Sequence, residues 1–139
     1  MPLETESELR DILATARTIA VVGYSIKPDR PSNEVAQALK RWGYTVYPVN
    51  PTLTSTPEET VYTSLSDIPD KIDVVDVFRR AEDVPGVVEE AIKIGAKTVW
   101  MQLGIVNAEA ARRAESAGLK VVMDHCMKAE HQRLMPEQV

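Results

Sequence analysis

A three-layer α/β fold around a five-stranded parallel sheet is predicted by two features of the sequence. Five short apolar runs recur along the 139 residues, and a segment with helical periodicity follows four of them. The runs are continuous rather than alternating, as strands buried on both faces require. Right-handed βαβ crossovers then place helices on each side of the sheet.

The elements follow in order. ESELRDILATA (6–16) sets Leu9, Ile12 and Leu13 on one helical face, which must cover the sheet or a partner subunit. TIAVVG (18–23) is the first strand. Ser32, just after Pro31, is the expected N-cap of a helix that runs to Gly43. YTVYPVN (44–50) is the second strand, stopped by Pro51. Residues 51–65 are rich in Thr, Ser and Pro and read as a loop, and SDIP (66–69) allows one helical turn at most. DVVDVF (73–78) is the third strand, and EDVPGVVEEAIKIG (82–95) is a helix ending near Gly95. TVWMQLG (98–104), a helix from Asn107 to Gly118, LKVVMD (119–124) and a last helix over MKAEHQRLM complete the pattern. The expected arrangement is Rossmann-like, with strand order 3-2-1-4-5; the flavodoxin-like order 2-1-3-4-5 is the alternative.

Composition narrows the function. The chain is 44% hydrophobic and 27% charged, as expected of one globular domain spanning 1–139. A net charge of −5 argues against nucleic acid or an anionic membrane as partner, so an anionic ligand needs a local positive site. No run approaches the roughly 18–20 apolar residues of a membrane span, and the acidic start MPLETESELR does not read as a signal peptide. One cysteine, Cys126, cannot close an internal disulfide, which suits the cytoplasm.

In folds of this class, ligands bind beyond the carboxyl ends of the strands. The first of those ends opens IAVVGYSIKPDRPSNEV, in which Gly23 permits a sharp turn and the following helix start carries partial positive charge. Ser25, Lys27 and Arg30 add a hydroxyl and two cations. A dinucleotide fingerprint fails, because Ser25 and Pro28 stand where the second and third glycines belong, and no phosphate-loop GK[ST] is present. The second strand also ends in Val49-Asn50-Pro51, without the carboxylate that would bind a nicotinamide ribose.

Catalytic equipment is harder to find. Asp124, His125 and Cys126 suggest a thiol site, but neighbours on an extended segment seldom face one another, so Cys126 reads as a buried small apolar residue starting the last helix. His125, His131 and one cysteine fall short of a zinc set. Glu130 and His131 read as a solvated helix face, and Trp42 and Trp100 as core.

Taken together, VVGYSIKPDRPSNEV, GYTVYPVNP and the segment from DIPDKIDVVDVFRR to MDHCMKAEHQR resemble the small stand-alone CoA-binding proteins. These are similar in fold to the CoA-binding domain of the succinyl-CoA synthetase alpha subunit. The resemblance spans about residues 8–133, and PVNP, VFRR and WMQLG are its most specific pieces. It implies that Gly23, Tyr24, Ser25, Lys27, Arg30 and Ser32 receive the phosphates of coenzyme A. Pro48, Val49 and Asn50 would flank the adenosine. Phe78, Arg79 and Arg80 would pack on adenine or pair with phosphate, with Val84 on the same edge. Met101, Gln102, Leu103 and Gly104 would border the pantetheine path. Which arginine meets a phosphate stays open, since neighbours on a strand point opposite ways. Two departures stand out: Tyr24 replaces a common alanine and could crowd the turn or stack on the ligand, and His125 replaces an arginine. The synthetase's catalytic phosphohistidine lies in a second domain outside the resemblance. The expected function is therefore binding of CoA or an acyl-CoA without evident catalytic residues. The alternatives are an acyl-transfer or redox enzyme using CoA, or a module for another nucleotide such as NAD. The acyl group and any protein partner are left undefined.

Overall fold

A computed structural model describes residues 2–136. Its sheet comprises β1 (Thr18–Val22), β2 (Thr45–Val49), β3 (Val74–Val77), β4 (Thr98–Met101) and β5 (Lys120–Val122), all parallel. Five α-helices flank them: α1 (Glu6–Thr15), α2 (Pro31–Arg41), α3 (Val84–Lys93), α4 (Ala108–Ser116) and α5 (Met127–Leu134). This is the Rossmann-like α/β architecture predicted.

Counted along these strands, the order is β2-β1-β3-β4-β5. A further residue pairs on the outer side of β2, however. Tyr62 forms a parallel bridge with Val49, donating its N–H to Pro48 O and accepting from Asn50 N at 2.9 Å each. The five strands thus run in the alternative order 2-1-3-4-5; with the Tyr62 bridge counted as a rudimentary third strand, the series reads 3-2-1-4-5-6, which contains the expected 3-2-1-4-5 pattern with the strand at Val74–Val77 as its fourth member. Its brevity hid it inside the Thr/Ser/Pro-rich loop.

Side chains alternate between two cores. Ala20, Val22, Val75, Val77, Val99 and Met101 pack under α3 and α4. Ile19, Val21, Val74, Trp100 and Val122 face α1, α2 and α5, so the amino-terminal helix covers the sheet through Leu9, Ile12 and Leu13. A reciprocal cap starts α1: Thr5 Oγ1 accepts from Glu8 N at 3.2 Å, and Glu8 Oε1 accepts from Thr5 N at 3.1 Å.

Two local expectations are corrected. The N-cap of α2 is Arg30, with Pro31 in the first turn; Ser32 lies inside the helix and is buried. Proline suits that first position because its missing N–H has no helical partner to lose. Glu130 and His131 are not a solvated face: both are buried. His131 stacks on Trp42 with ring centroids 4.1 Å apart, and Arg133 Nη2 donates to Glu130 Oε1 at 2.8 Å.

Candidate functional site

The loop after β1 is shaped by one glycine. Gly23 has φ 89°, in the region that favours glycine, and its N–H and that of Tyr24 both donate to Val49 O, at 2.9 and 3.2 Å. A Cβ there would lie 2.8 Å from Phe78 O and 3.0 Å from Arg79 Cδ. The β1 loop and the end of β3 therefore close on each other at a spacing only glycine permits.

Beyond Gly23 the backbone is braced from beneath. Ser25 N donates to Ser32 Oγ at 3.0 Å, and Lys27 N donates to Ser25 Oγ at 3.2 Å. Asn33 Nδ2 donates to Ser25 O at 3.0 Å and to Tyr24 Oη at 3.1 Å. Tyr24 itself turns inward. Its ring is buried, and its hydroxyl donates to Glu59, with both carboxylate oxygens within 3.0 Å. Burial first, and then Glu59, pushes that hydroxyl up to about 12, so it remains a donor. Lys40 Nζ closes the network on Glu59 at 3.1 Å. The Tyr24 ring thus neither crowds the turn nor stacks in the groove; it ties the loop bearing Glu59 to α2.

Gly23, Ser25, Lys27, Arg30, Ser32 and Phe78 line one groove of about 340 Å³ at the start of α2. Lys27 and Arg30 are exposed, and neither forms an ion pair among the described residues. Two free cations beside a helix amino terminus make a positive corner on an acidic chain. An adjoining groove of about 490 Å³ is lined by Val49, Thr63, Ser64, Arg79, Asp83 and Val87, among others. Arg79 lies between the two grooves, with Asp83 Oδ2 3.3 Å from its Nη2. Arg80 points outward, 77% exposed, and pairs with Glu82 at 3.2 Å. Of the two arginines, geometry puts Arg79 at the groove.

The other expected residues play different parts. Val84 and Met101 are buried in the α3/α4 core and support the edge from below. Pro48 and Val49 are also buried. Asn50 Nδ2 donates to Tyr24 O at 2.8 Å, and Asn50 Oδ1 accepts from Thr52 N at 2.8 Å, so this side chain holds the loop. Gln102 Oε1 accepts from Met127 N at 3.3 Å, capping α5. Leu103 is 67% exposed, and Gly104 N donates to Asp124. The His125 imidazole faces Glu130, 3.7 Å from Nδ1, while half-buried Cys126 occupies the N-cap of α5.

Sequence reasoning missed Thr63, Ser64 and Val87. Val87 follows Val84 at helical spacing, which was a usable signal; Thr63 and Ser64 come to the edge only through the Tyr62 bridge. It also passed over Asp76, at the centre of β3 between Val21 and Trp100. Both Asp76 carboxylate oxygens are buried without a hydrogen-bond partner, and burial raises its pKa well above the usual carboxylate range.

A separate cavity of about 490 Å³ opens at the opposite, amino-terminal ends of the strands, beside Ala16, Gly95 and Gly118. The carboxyl ends of α1, α3 and α4 meet there, and Lys97 is paired with Asp73 at 3.5 Å. That polarity disfavours an anion.

Fold and groove together define a Rossmann-like α/β domain with a positive cleft at the carboxyl edge of its sheet. The profile of the CoA binding domain family matches residues 17–132, and the chain belongs to that family. It is 42% identical over 127 residues to the uncharacterized protein YneT of Bacillus subtilis, covering 91% of this chain and 94% of that one. A hypothetical protein from Pyrococcus horikoshii superposes with a TM-score of 0.91 at 44% identity, over 97% of this chain and 96% of its own. An ADP-forming acetate–CoA ligase of Archaeoglobus fulgidus is 34% identical over 95 residues, which are 67% of this chain and only 14% of the ligase. The chain thus corresponds to a small part of that enzyme. No helix among the described residues is long and apolar enough to cross a membrane.

Proposed function

We propose that the chain binds coenzyme A, or an acyl-CoA, along the carboxyl edge of the sheet. The observation that carries this reading is the close approach at Gly23, which sets Lys27, Arg30 and the start of α2 around one groove and Arg79 at its border. Coenzyme A has three phosphates, and converging cations with a helix amino terminus suit them. Lys27, Arg30 and Ser25 would hold phosphate, and Arg79, Ser64 and Val87 would border the nucleoside. The family membership and the likeness to part of an acetate–CoA ligase support the choice of CoA over other nucleotides. The reading gives these residues a binding role and no catalytic step. A cytoplasmic setting accords with the single cysteine.

Exchanging Lys27 and Arg30 together for alanine tests the assignment. Both side chains are exposed, so melting should be unchanged while CoA affinity falls roughly 10- to 100-fold. The salt dependence of binding should flatten as well. Wild-type affinity in the double variant would remove this corner from the site.

A further inference from the structure

Three large apolar side chains stay exposed among the described residues: Ile26 at 58%, Leu103 at 67% and Val106 at 49%. Ile26 borders the loop carrying Thr54 and Glu59. Leu103 and Val106 share the short connection between β4 and α4, and that connection is pinned. Gly104 N donates to Asp124 Oδ1 at 2.6 Å, and Asp124 holds a left-handed φ of 65°. Ile105 N donates to Gln102 O at 2.9 Å, and the Ile105 side chain packs against the core. Asn107 caps α4 through Ala110 N and donates to Ala81 O, both at 2.9 Å. Isolated exposed apolar residues are ordinary. Two of them on a pinned loop, at the ligand-binding end of a parallel sheet, form a ridge held toward solvent.

Position and charge select its occupant. β4 lies two strands from β1, across β3, which is about 10 Å at ordinary strand spacing. A CoA anchored by phosphate at Lys27 and Arg30 has a pantetheine arm long enough to cross that span. The segment MQLGIVNA (101–108) carries no charged residue, and the carboxylate fixed against it is that of Asp124. Resting on the CoA reading above, we infer that the thioester end of the ligand lies on the Leu103–Val106 ridge and that its acyl group is apolar and uncharged. An acyl group ending in carboxylate, such as succinyl, would lose hydration there without gaining a cation.

Calorimetric titration with free CoA, butyryl-CoA, hexanoyl-CoA and succinyl-CoA tests this. Affinity should rise from CoA through butyryl to hexanoyl by roughly two- to fourfold per methylene covered, with succinyl-CoA no tighter than CoA. The ratio of hexanoyl-CoA to CoA affinity, taken within each protein, should fall toward one in Val106→Ser. Val106→Lys should shift preference from hexanoyl toward succinyl. Equal affinity for all four ligands in the wild type, or a hexanoyl preference kept in both variants, overturns the inference while CoA binding stands. Absence of any CoA binding overturns the CoA reading and this inference with it. A dimer in sedimentation that Val106→Lys disperses gives the ridge to a second copy and overturns the inference alone.

Discussion

Gly23→Ala is expected to destabilise the protein by about 2–5 kcal/mol, combining a left-handed backbone cost of about 1–2 kcal/mol with about 1–3 kcal/mol for overpacking. The clash is with backbone, Phe78 O at 2.8 Å, so no side-chain rotation relieves it. Relief requires the β1 loop and the end of β3 to separate, which displaces Arg79 and opens the groove. CoA affinity should therefore fall together with stability. Gly43→Ala is the control: its φ is also positive, at 98°, but an added Cβ meets nothing within 4 Å. It should cost only the backbone part, about 1–2 kcal/mol, and leave binding unchanged. Chemical denaturation of the two variants separates the effects. Equal losses would show that the close approach at Gly23 is not a constraint.

Asp76→Val should stabilise the protein, most strongly at high pH. The Asp76 carboxyl is buried in the central sheet without a partner, and burial raises its pKa in the folded state. In the unfolded chain it titrates near 3.9. Because the folded value is the higher one, the stability linked to this proton is complete below pH ~4. It is lost progressively as pH rises toward the folded value, at about 1.4 kcal/mol per pH unit. Valine removes both the titration and the unsatisfied oxygens while suiting a buried strand. A gain on the order of 2 kcal/mol or more is expected at pH 8, shrinking toward pH 4. Melting curves of the two proteins across that range give the answer. A gain independent of pH would mean that Asp76 does not titrate differently on folding, and a loss at pH 8 would mean that the carboxylate has a partner.

The strands were legible because a doubly covered parallel sheet needs unbroken apolar runs, and few other structures do. The helices were legible from their apolar periodicity. What escaped depended on contacts distant in sequence. The direction of the Tyr24 ring is set by the left-handed turn at Gly23 and by Glu59, 35 residues away, so Tyr24 read as a groove residue when it is a tie behind the groove. His131 looked like an exposed helix residue because Trp42 and Tyr44, which enclose it, belong to another part of the chain. Strand alternation implied that Arg79 and Arg80 diverge; only the packing of Arg79 against Gly23 decides which one meets the groove. Asp76 was hidden by its own context, a single acid inside an apolar run with no pattern to announce that it would be buried unpaired.

Direct titration of the purified chain with coenzyme A, alongside NADH and ATP, is the most direct test of the central claim. Saturable binding of CoA, tighter than either other nucleotide and weakened by salt, is the predicted result. No heat and no binding with CoA at millimolar concentration would contradict it.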